Sequence, residues 1–205
     1  FKDRQGIVWV GTYAGGVNYS HSYNQRFRFF APSHLAGRFR MAKEDADNNI
    51  WFATEGNGLL RHRPETGQVE SFWLNENKHH NDNIIKSICI SGDTIMCGNQ
   101  RGEVYNYSIK RNKFSLLRKY DNTNILYIFK DSREHWWISV QDQGVFCLDM
   151  DSVQFPCSNY IDEIDPGILV FATQKEGLYV YDLNIGQKKQ ISAADLGVPA
   201  DKSLS

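Results

Sequence analysis

One short stretch recurs along this chain and constrains its fold more than any other feature. At residues 3–17, DRQGIVWVGTYAGGV, an Asp stands six residues before a Trp, and a Gly follows that Trp seven residues later. The same spacing returns at residues 45–58 and at residues 131–144. Two weaker copies, around Gly98 and Ala172, have no Trp. A chain that repeats itself in this way is predicted to fold as a series of similar units.

The spacing and composition of the repeat predict a β-propeller. The copies align on a position that is always small, at intervals of 42, 45, 41 and 33 residues: Gly11, Ala53, Gly98, Ser139 and Ala172. A period of about 40 in segments rich in β-branched and aromatic residues is typical of propeller blades. We therefore predict an all-β fold, a partial β-propeller of about five four-stranded blades with the first incomplete. A sandwich of short strands is the alternative.

The repeat also gives approximate blade boundaries. Phe1-Lys2-Asp3 matches Phe129-Lys130-Asp131, so the inner strand of the first blade is expected to be mostly missing, and further blades are expected in a parent chain. The short last interval predicts either a shortened blade or a shifted alignment. The predicted blades are residues 1–37, 38–83, 84–124, 125–159 and 160–192, with 193–205 as a connector.

The composition argues against several classes of function. The 23 basic and 24 acidic side chains form no basic run, which argues against a nucleic-acid partner for this region. No stretch reaches the roughly 18 apolar residues of a membrane-spanning helix. Because the net charge is −1, a ligand is expected to meet neutral polar and aromatic groups rather than a charged surface.

The cysteines and the repeated residues are assigned structural roles. Cysteines 89, 97, 147 and 157 form no CxxC pair and are predicted to be buried thiols, although Cys89 and Cys97 lie on neighbouring predicted strands where a disulfide is conceivable. The repeated tryptophans (9, 51 and 137) are predicted to be core residues, and the repeated aspartates (3, 45 and 131) to form turns. Nothing resembles a catalytic constellation, and no metal site or cofactor is predicted.

Candidate binding residues are those that vary while the strands repeat. In a propeller, the turns between the second and third strands share a face with the connectors between blades, and variable polar turns are a usual place for recognition. Trp73 lies outside the repeat register, and the pair His79-His80 lies in a polar connector. The candidate ligand- or partner-binding residues are Tyr13, Glu55, Trp73, His79, His80, Arg101, Asp142 and Lys175.

The repeat resembles that of a known family. The pattern Asp-x-x-Gly-x-hydrophobic-Trp-hydrophobic-Gly-Thr, followed by Gly-Gly-hydrophobic-Asn-x-Tyr, is similar to the two-component regulator propeller repeat. Residues 3–19 fit it almost throughout, residues 45–60 fit well, and the other three copies are degraded. The stretch Lys2 to Pro32 looks especially like the extracytoplasmic sensor of hybrid two-component systems in polysaccharide-degrading gut bacteria. Streptogramin lyases share similar repeats.

This resemblance implies a function. In that family, two propellers and a small β-sandwich lie outside the inner membrane and sense a glycan fragment, with a histidine kinase on the cytoplasmic side. The chain is thus expected to be a non-catalytic, periplasmic sensor propeller that responds to an oligosaccharide. The expected partners are a companion propeller and further blades of a homodimeric parent. A lyase-type propeller enzyme and a purely structural protein-interaction propeller are the alternatives.

Overall fold

The chain forms antiparallel sheets in two compact units. The structure, a computed structural model, describes residues 1–12, 16–20, 27–30, 38–75, 80–121, 123–150, 154–192 and 195. The first unit spans Phe1–Lys119 and the second Tyr120–Ser205. In every sheet, strands that follow one another in the chain are hydrogen-bonded neighbours, which is the pattern of a propeller blade.

The first unit contains three sheets, and one segment in it is helical. Its strands are β1 (Val8–Thr12), β2 (Gly16–Ser20) and β3 (Phe27–Phe30); β4 (Phe39–Glu44), β5 (Ile50–Thr54), β6 (Leu59–Arg63) and β7 (Gln68–Phe72); and β8 (Ile85–Ser91), β9 (Thr94–Asn99), β10 (Glu103–Ser108) and β11 (Lys113–Lys119). The 3-10 turn His80–Asn83 is the one helical segment within the described ranges.

The second unit contains two four-stranded sheets. Its strands are β12 (Ile125–Lys130), β13 (Trp136–Val140), β14 (Gly144–Cys147) and β15 (Gln154–Phe155); and β16 (Ser158–Asp165), β17 (Ile168–Thr173), β18 (Leu178–Asp182) and β19 (Gln187–Ile191). Inner strands are neighbours within each unit, β4 with β8 and β12 with β16. The predicted all-β fold of propeller blades is confirmed.

The first blade is incomplete, as predicted. Its sheet has three strands, and Phe1-Lys2 occupies the position where an inner strand would end. Lys2 bridges Val8, and the backbone N–H of Trp9 donates to the Phe1 carbonyl over 2.7 Å. The equivalent pairing in the second blade joins Glu44 to Ile50.

Three buried aspartates explain the six-residue spacing between Asp and Trp. One carboxylate oxygen of Asp45 accepts the backbone N–H groups of residues 47 and 49, which closes the turn as predicted. The other oxygen accepts the indole N–H of Trp51 over 2.7 Å. The same bond joins Asp3 to Trp9 (2.8 Å) and Asp131 to Trp137 (2.9 Å). The six-residue spacing therefore brings the Asp carboxylate within hydrogen-bonding distance of the Trp indole N–H. This second role of the aspartates was not predicted from the sequence.

The repeated tryptophans lie in the core, as predicted. Trp51 and Trp137 are fully buried and Trp9 is nearly so. Trp51 packs against Phe72 and Tyr107 of its own and the next blade, with ring centroids 5.4 and 5.8 Å away. In the second unit, the Trp137 ring contacts three aromatic rings, those of Phe155, Phe171 and Tyr181. Each Trp therefore fills the space between two consecutive blades.

The glycine before the third strand is required for two separate reasons. Gly58, Gly144 and Gly177 all have positive φ, a backbone conformation that glycine adopts at little cost. A Cβ added to Gly58 would also lie 2.3 Å from the carbonyl oxygen of Phe72, and the equivalent distance at the other two glycines is 2.5 Å. The outer strand therefore passes too close to this position for any side chain.

The short final interval has several structural causes. The described outer strand β15 spans Gln154–Phe155, two residues connect it to β16, and β16 joins β17 through a two-residue turn. The alignment at Ala172 holds, since Thr173 repeats the geometry of Thr54. Each of these threonines donates its hydroxyl over 2.7 Å to the carbonyl of the glycine four residues later.

The conceivable disulfide between Cys89 and Cys97 does not form. In the antiparallel pair of β8 and β9, Cys97 lies opposite Ile88, and Cys89 lies opposite Met96. Because side chains alternate between the two faces of a strand, the two thiols point to opposite faces of the sheet. Cys97 and Cys147 are buried, whereas Cys89 and Cys157 are only partly so. Burial raises the pKa of the Cys97 thiol, which keeps it uncharged.

Candidate functional site

One polar position recurs at the equivalent edge of four sheets, two in each unit. It directly follows the second strand of each sheet and holds Glu55, Gln100, Gln141 and Gln174. Each of these residues donates its backbone N–H to the carbonyl of the residue that precedes its own inner strand, over 2.8 to 3.2 Å. We call this position the rim position and these four residues the rim residues. Their backbones are fixed by the fold, so their side chains are free to differ from blade to blade.

A β-bulge accompanies the rim position in every one of these blades. The register between the inner strand and the second strand slips by one residue near the start of β4, β8, β12 and β16. The extra residues in the inner strands are Arg40, Lys86, Leu126 and Asn159. Bulges re-aim side chains and are common next to binding sites. Each blade therefore brings a bulge side chain and a rim side chain to the same edge.

In the second blade, the rim residue lies among positive charges. Arg38 places a guanidinium nitrogen 3.5 Å from Glu55 Oε2, and Arg40 forms an ion pair with Oε1. Lys86, from the inner strand of the next blade, lies 3.8 Å from Oε1. We call these four residues the Glu55 cluster. Burial lowers the pKa of Lys86, and the nearby Arg40 charge lowers it further.

The other rim residues form neutral amide contacts. Gln100 donates a side-chain N–H to the carbonyl of Asn81 over 3.0 Å. In the second unit, the Asn124 amide donates to the side-chain oxygen of Gln141 over 2.6 Å, and Gln174 donates to the side-chain oxygen of Asn159 over 3.1 Å. Amide groups both donate and accept hydrogen bonds, so in the second unit this edge of the two blades suits a ligand rich in hydroxyl groups.

An exposed aromatic ring adjoins the bulge of the fifth blade. Tyr160, directly after Asn159, is half exposed, and its ring lies 5.2 Å from that of Tyr127 on the neighbouring inner strand. Its hydroxyl donates to Asp162 over 3.2 Å. A Tyr that is both exposed and held by neighbours offers an apolar face with a polar tip, as ligand sites often do.

The predicted candidate residues occupy several different positions. Glu55 is a rim residue, whereas Arg101, Asp142 and Lys175 are exposed one residue further into their turns. Arg101 forms an ion pair with Asp82 of the 3-10 turn. Tyr13 and His79 lie outside the described residues.

The two remaining candidates lie at opposite ends of the connector after the second blade. His80 begins the 3-10 turn, and its side chain is outside the described part of the chain. Trp73 follows β7 and is half buried, with its Cα beside Gly58.

Three rim residues and the bulge positions are not among the residues predicted from the sequence. Counting two residues on from each small position of the repeat gives Tyr13, Glu55, Gln100, Gln141 and Gln174, so a strict alignment contains the rim set. The predicted candidates coincide with this position in the first and second blades. In the other three blades, the predicted candidates Arg101, Asp142 and Lys175 come one residue later in the chain. The bulges have no comparable signal in the sequence, because they depend on pairing between strands.

No group of three or more His, Cys, Asp or Glu side chains in the described residues is placed to hold a metal ion. Nowhere in the same ranges does a helix have the length and apolarity needed to cross a membrane.

The fold is similar to that of solved extracellular domains. The extracellular domain of a putative hybrid two-component system from B. thetaiotaomicron matches 98% of this chain with a TM-score of 0.74 and 17% identity. A second such domain from the same organism matches 86% with a TM-score of 0.64 and 19% identity. The chain spans 28% and 25% of those two domains. At these identities, the likeness is one of fold.

An enzyme has a similar fold too. Virginiamycin B lyase from Staphylococcus aureus matches 94% of this chain with a TM-score of 0.73 and 13% identity, and the match covers 68% of the lyase. No family model matches the sequence. No curated protein matches it either.

Proposed function

We propose that this chain is a non-catalytic recognition propeller in the extracytoplasmic sensor of a two-component signalling protein, and that its ligand is an oligosaccharide. The observation that carries the proposal is the polar edge where rim and bulge side chains vary on a repeated backbone. The likeness in fold to extracellular domains of hybrid two-component systems supports it. The parent would be a periplasmic, homodimeric sensor with a companion propeller and a kinase.

The chemistry of the edge supports a sugar ligand. In the second unit, the amides of Gln141 and Gln174 donate and accept hydrogen bonds, as sugar hydroxyls require. Tyr160 offers an exposed ring against which the apolar face of a sugar can pack. Binding would signal by shifting the balance between two arrangements of the sensor, which requires a ligand with different affinity for the two.

Calorimetry with a panel of glycan fragments tests this proposal. In the complete sensor region, Tyr160→Ala should weaken binding of a recognised fragment by several-fold to about tenfold, since an aromatic contact contributes roughly 0.5–1.5 kcal/mol. Tyr160→Phe keeps the ring and should bind nearly as well. Absence of binding by every fragment would contradict the proposal.

A second pair of variants locates the site. Gln141→Ala with Gln174→Ala should reduce binding more than Asp142→Ala with Lys175→Ala, because the first pair lies at the rim position and the second lies one residue beyond it. If only the second pair reduces binding while both proteins remain folded, the surface predicted from sequence is the correct one and the rim assignment is wrong.

The fold likeness to virginiamycin B lyase keeps an enzymatic function as the second candidate. Mass spectrometry of the fragments after incubation separates the two functions. Unchanged fragments that are bound support recognition without chemistry. Cleaved or eliminated products, together with stoichiometric metal in the purified protein, would favour the lyase.

A further inference from the structure

We propose that the Glu55 cluster binds a negatively charged group of the ligand, a carboxylate or a sulfate ester, so that the ligand class is acidic oligosaccharides. This inference rests on the proposed function and narrows it. It also replaces the expectation, drawn from the net charge, that the ligand meets only neutral groups.

The cluster carries more positive than negative charge. Arg40 and Lys86 both approach the same oxygen of Glu55, and no second carboxylate in the described ranges lies within ion-pair distance of these two cations. One carboxylate cannot neutralise both. A bound anion would meet the remaining positive charge in a partly water-excluded place, where charge-assisted hydrogen bonds are strong.

The fold does not require these charges. Arg40 and Lys86 occupy the bulge positions of the second and third blades, where the fourth and fifth blades have Leu126 and Asn159. At the rim, Gln141 and Gln174 make the same backbone hydrogen bond as Glu55. A blade therefore forms the same bulge and the same backbone hydrogen bond with apolar or amide side chains. The charged side chains of the Glu55 cluster are not needed for this local structure.

The two cations are held together against their mutual repulsion. The Lys86 side chain is 23% exposed and the Arg40 side chain 34%, so water screens them only in part. They come from adjacent inner strands, β4 and β8, and meet at the same carboxylate. Like charges placed close together are costly, and because the single charge of Glu55 offsets only part of this cost, a bound anion would lower it further. A neutral sugar hydroxyl would not.

Matched ligands and variants test the inference in the 205-residue chain. Calorimetry compares α-1,4-linked trigalacturonate with α-1,4-linked galactotriose, which differ only in carboxylate against hydroxymethyl groups, and adds a sulfated disaccharide and hexaglutamate. At least one acidic sugar should bind about tenfold more tightly than galactotriose, with affinity that falls between about 0.1 M and about 0.5 M salt.

The variants have opposite expected effects. Arg40→Gln with Lys86→Gln should weaken acidic-sugar binding about tenfold or more. Glu55→Gln removes the competing carboxylate and should strengthen that binding severalfold, a gain that a merely structural role for Glu55 would not produce. Arg111→Gln with Lys113→Gln, which removes two exposed charges at the outer hairpin of the third blade, should change nothing.

The outcomes separate this inference from the proposed function. Equal binding of acidic and neutral trisaccharides, or acidic binding that survives the Arg40 and Lys86 substitutions, overturns the inference and leaves sugar recognition standing. Binding of no sugar in either series overturns both. Hexaglutamate that binds as tightly as the acidic sugars would identify a general anion site and overturn the assignment to glycans.

Discussion

The inner hairpins of the blades are closed in two different ways. In the first, second and fourth blades, five residues separate the paired strands and begin with the buried Asp that binds the Trp. In the third and fifth blades, two residues suffice, Gly92-Asp93 and Pro166-Gly167. The inner strands β8 and β16 are correspondingly longer than β4 and β12.

This difference explains why Asp and Trp disappear together from the weaker repeats. A buried indole N–H without an acceptor costs roughly 1–3 kcal/mol, so a blade that loses the five-residue loop also loses its reason to keep a Trp. The aligned positions hold Met96 and Val170, which have no polar hydrogen to satisfy. The hairpin at the opposite end of the sheet, between the second and third strands, is similar in the second and fifth blades, although these blades belong to different classes. Gly58 and Gly177 both have positive φ and both lie close to the outer strand.

The largest expected effect is at the tryptophan of a five-residue-loop blade. Trp51→Ala should reduce the free energy of unfolding by roughly 3–5 kcal/mol, because it empties a fully buried space between two blades. Trp73→Ala should cost clearly less, since that ring is only half buried. Denaturant melts measure both. Equal losses would remove the distinction between core and edge tryptophans.

The glycine before the third strand should be equally sensitive in both classes of blade. Gly58→Ala and Gly177→Ala should each cost about 2–4 kcal/mol, the sum of a left-handed backbone and a clash with the outer strand. Gly67→Ala is the matched control. It has positive φ but open space around its Cβ, so about 1–2 kcal/mol is expected. A similar loss of stability at all three sites would show that the clash between the new Cβ and the outer strand does not contribute to the free energy of unfolding.

The link between Asp and Trp should be measurable as a coupling energy. A double-mutant cycle with Asp45→Ala and Trp51→Phe isolates the carboxylate–indole bond, and a coupling of about 1–2 kcal/mol is expected for a buried charge-assisted bond. Asp165, at the two-residue turn of the fifth blade, is exposed, and its replacement by Ala should change stability by no more than about 0.5 kcal/mol. Zero coupling would mean that the six-residue spacing has another cause.

The sequence predicted the scaffold better than the candidate site, for a physical reason. The buried Trp51 and the positive-φ Gly58 satisfy needs that are local to a blade, so their equivalents recur in several blades and can be aligned. The Glu55 cluster is not local, because Lys86 comes from the next blade and Arg40 reaches Glu55 through a bulge. Contacts that differ between blades produce no repeated sequence pattern. An alignment of the repeats can therefore identify the rim position but not the side chains that contact it.

The smallest expected effect is on acid stability, and it is expected at Asp131 in the five-residue loop of the fourth blade. Burial tends to raise the pKa of Asp131, but hydrogen bonds from the Trp137 indole and from His135 outweigh it, so the pKa lies below its ordinary value. A carboxylate with a lowered pKa in the folded state stabilises the protein fully above the pKa of the unfolded chain, about 3.9. That contribution is lost as the pH falls through the folded pKa.

Urea melts from neutral pH down through the carboxylate range test this effect. The stability of the parent chain should fall as the pH drops below about 4, and Asp131→Asn should lower stability at neutral pH while making the acid side of the profile shallower. Asp165→Asn, in the two-residue-turn class, should leave the profile unchanged because its side chain is exposed. If both substitutions alter the acid limb equally, the Asp-based loop has no special part in acid stability, and the contrast between the two hairpin classes reduces to chain length.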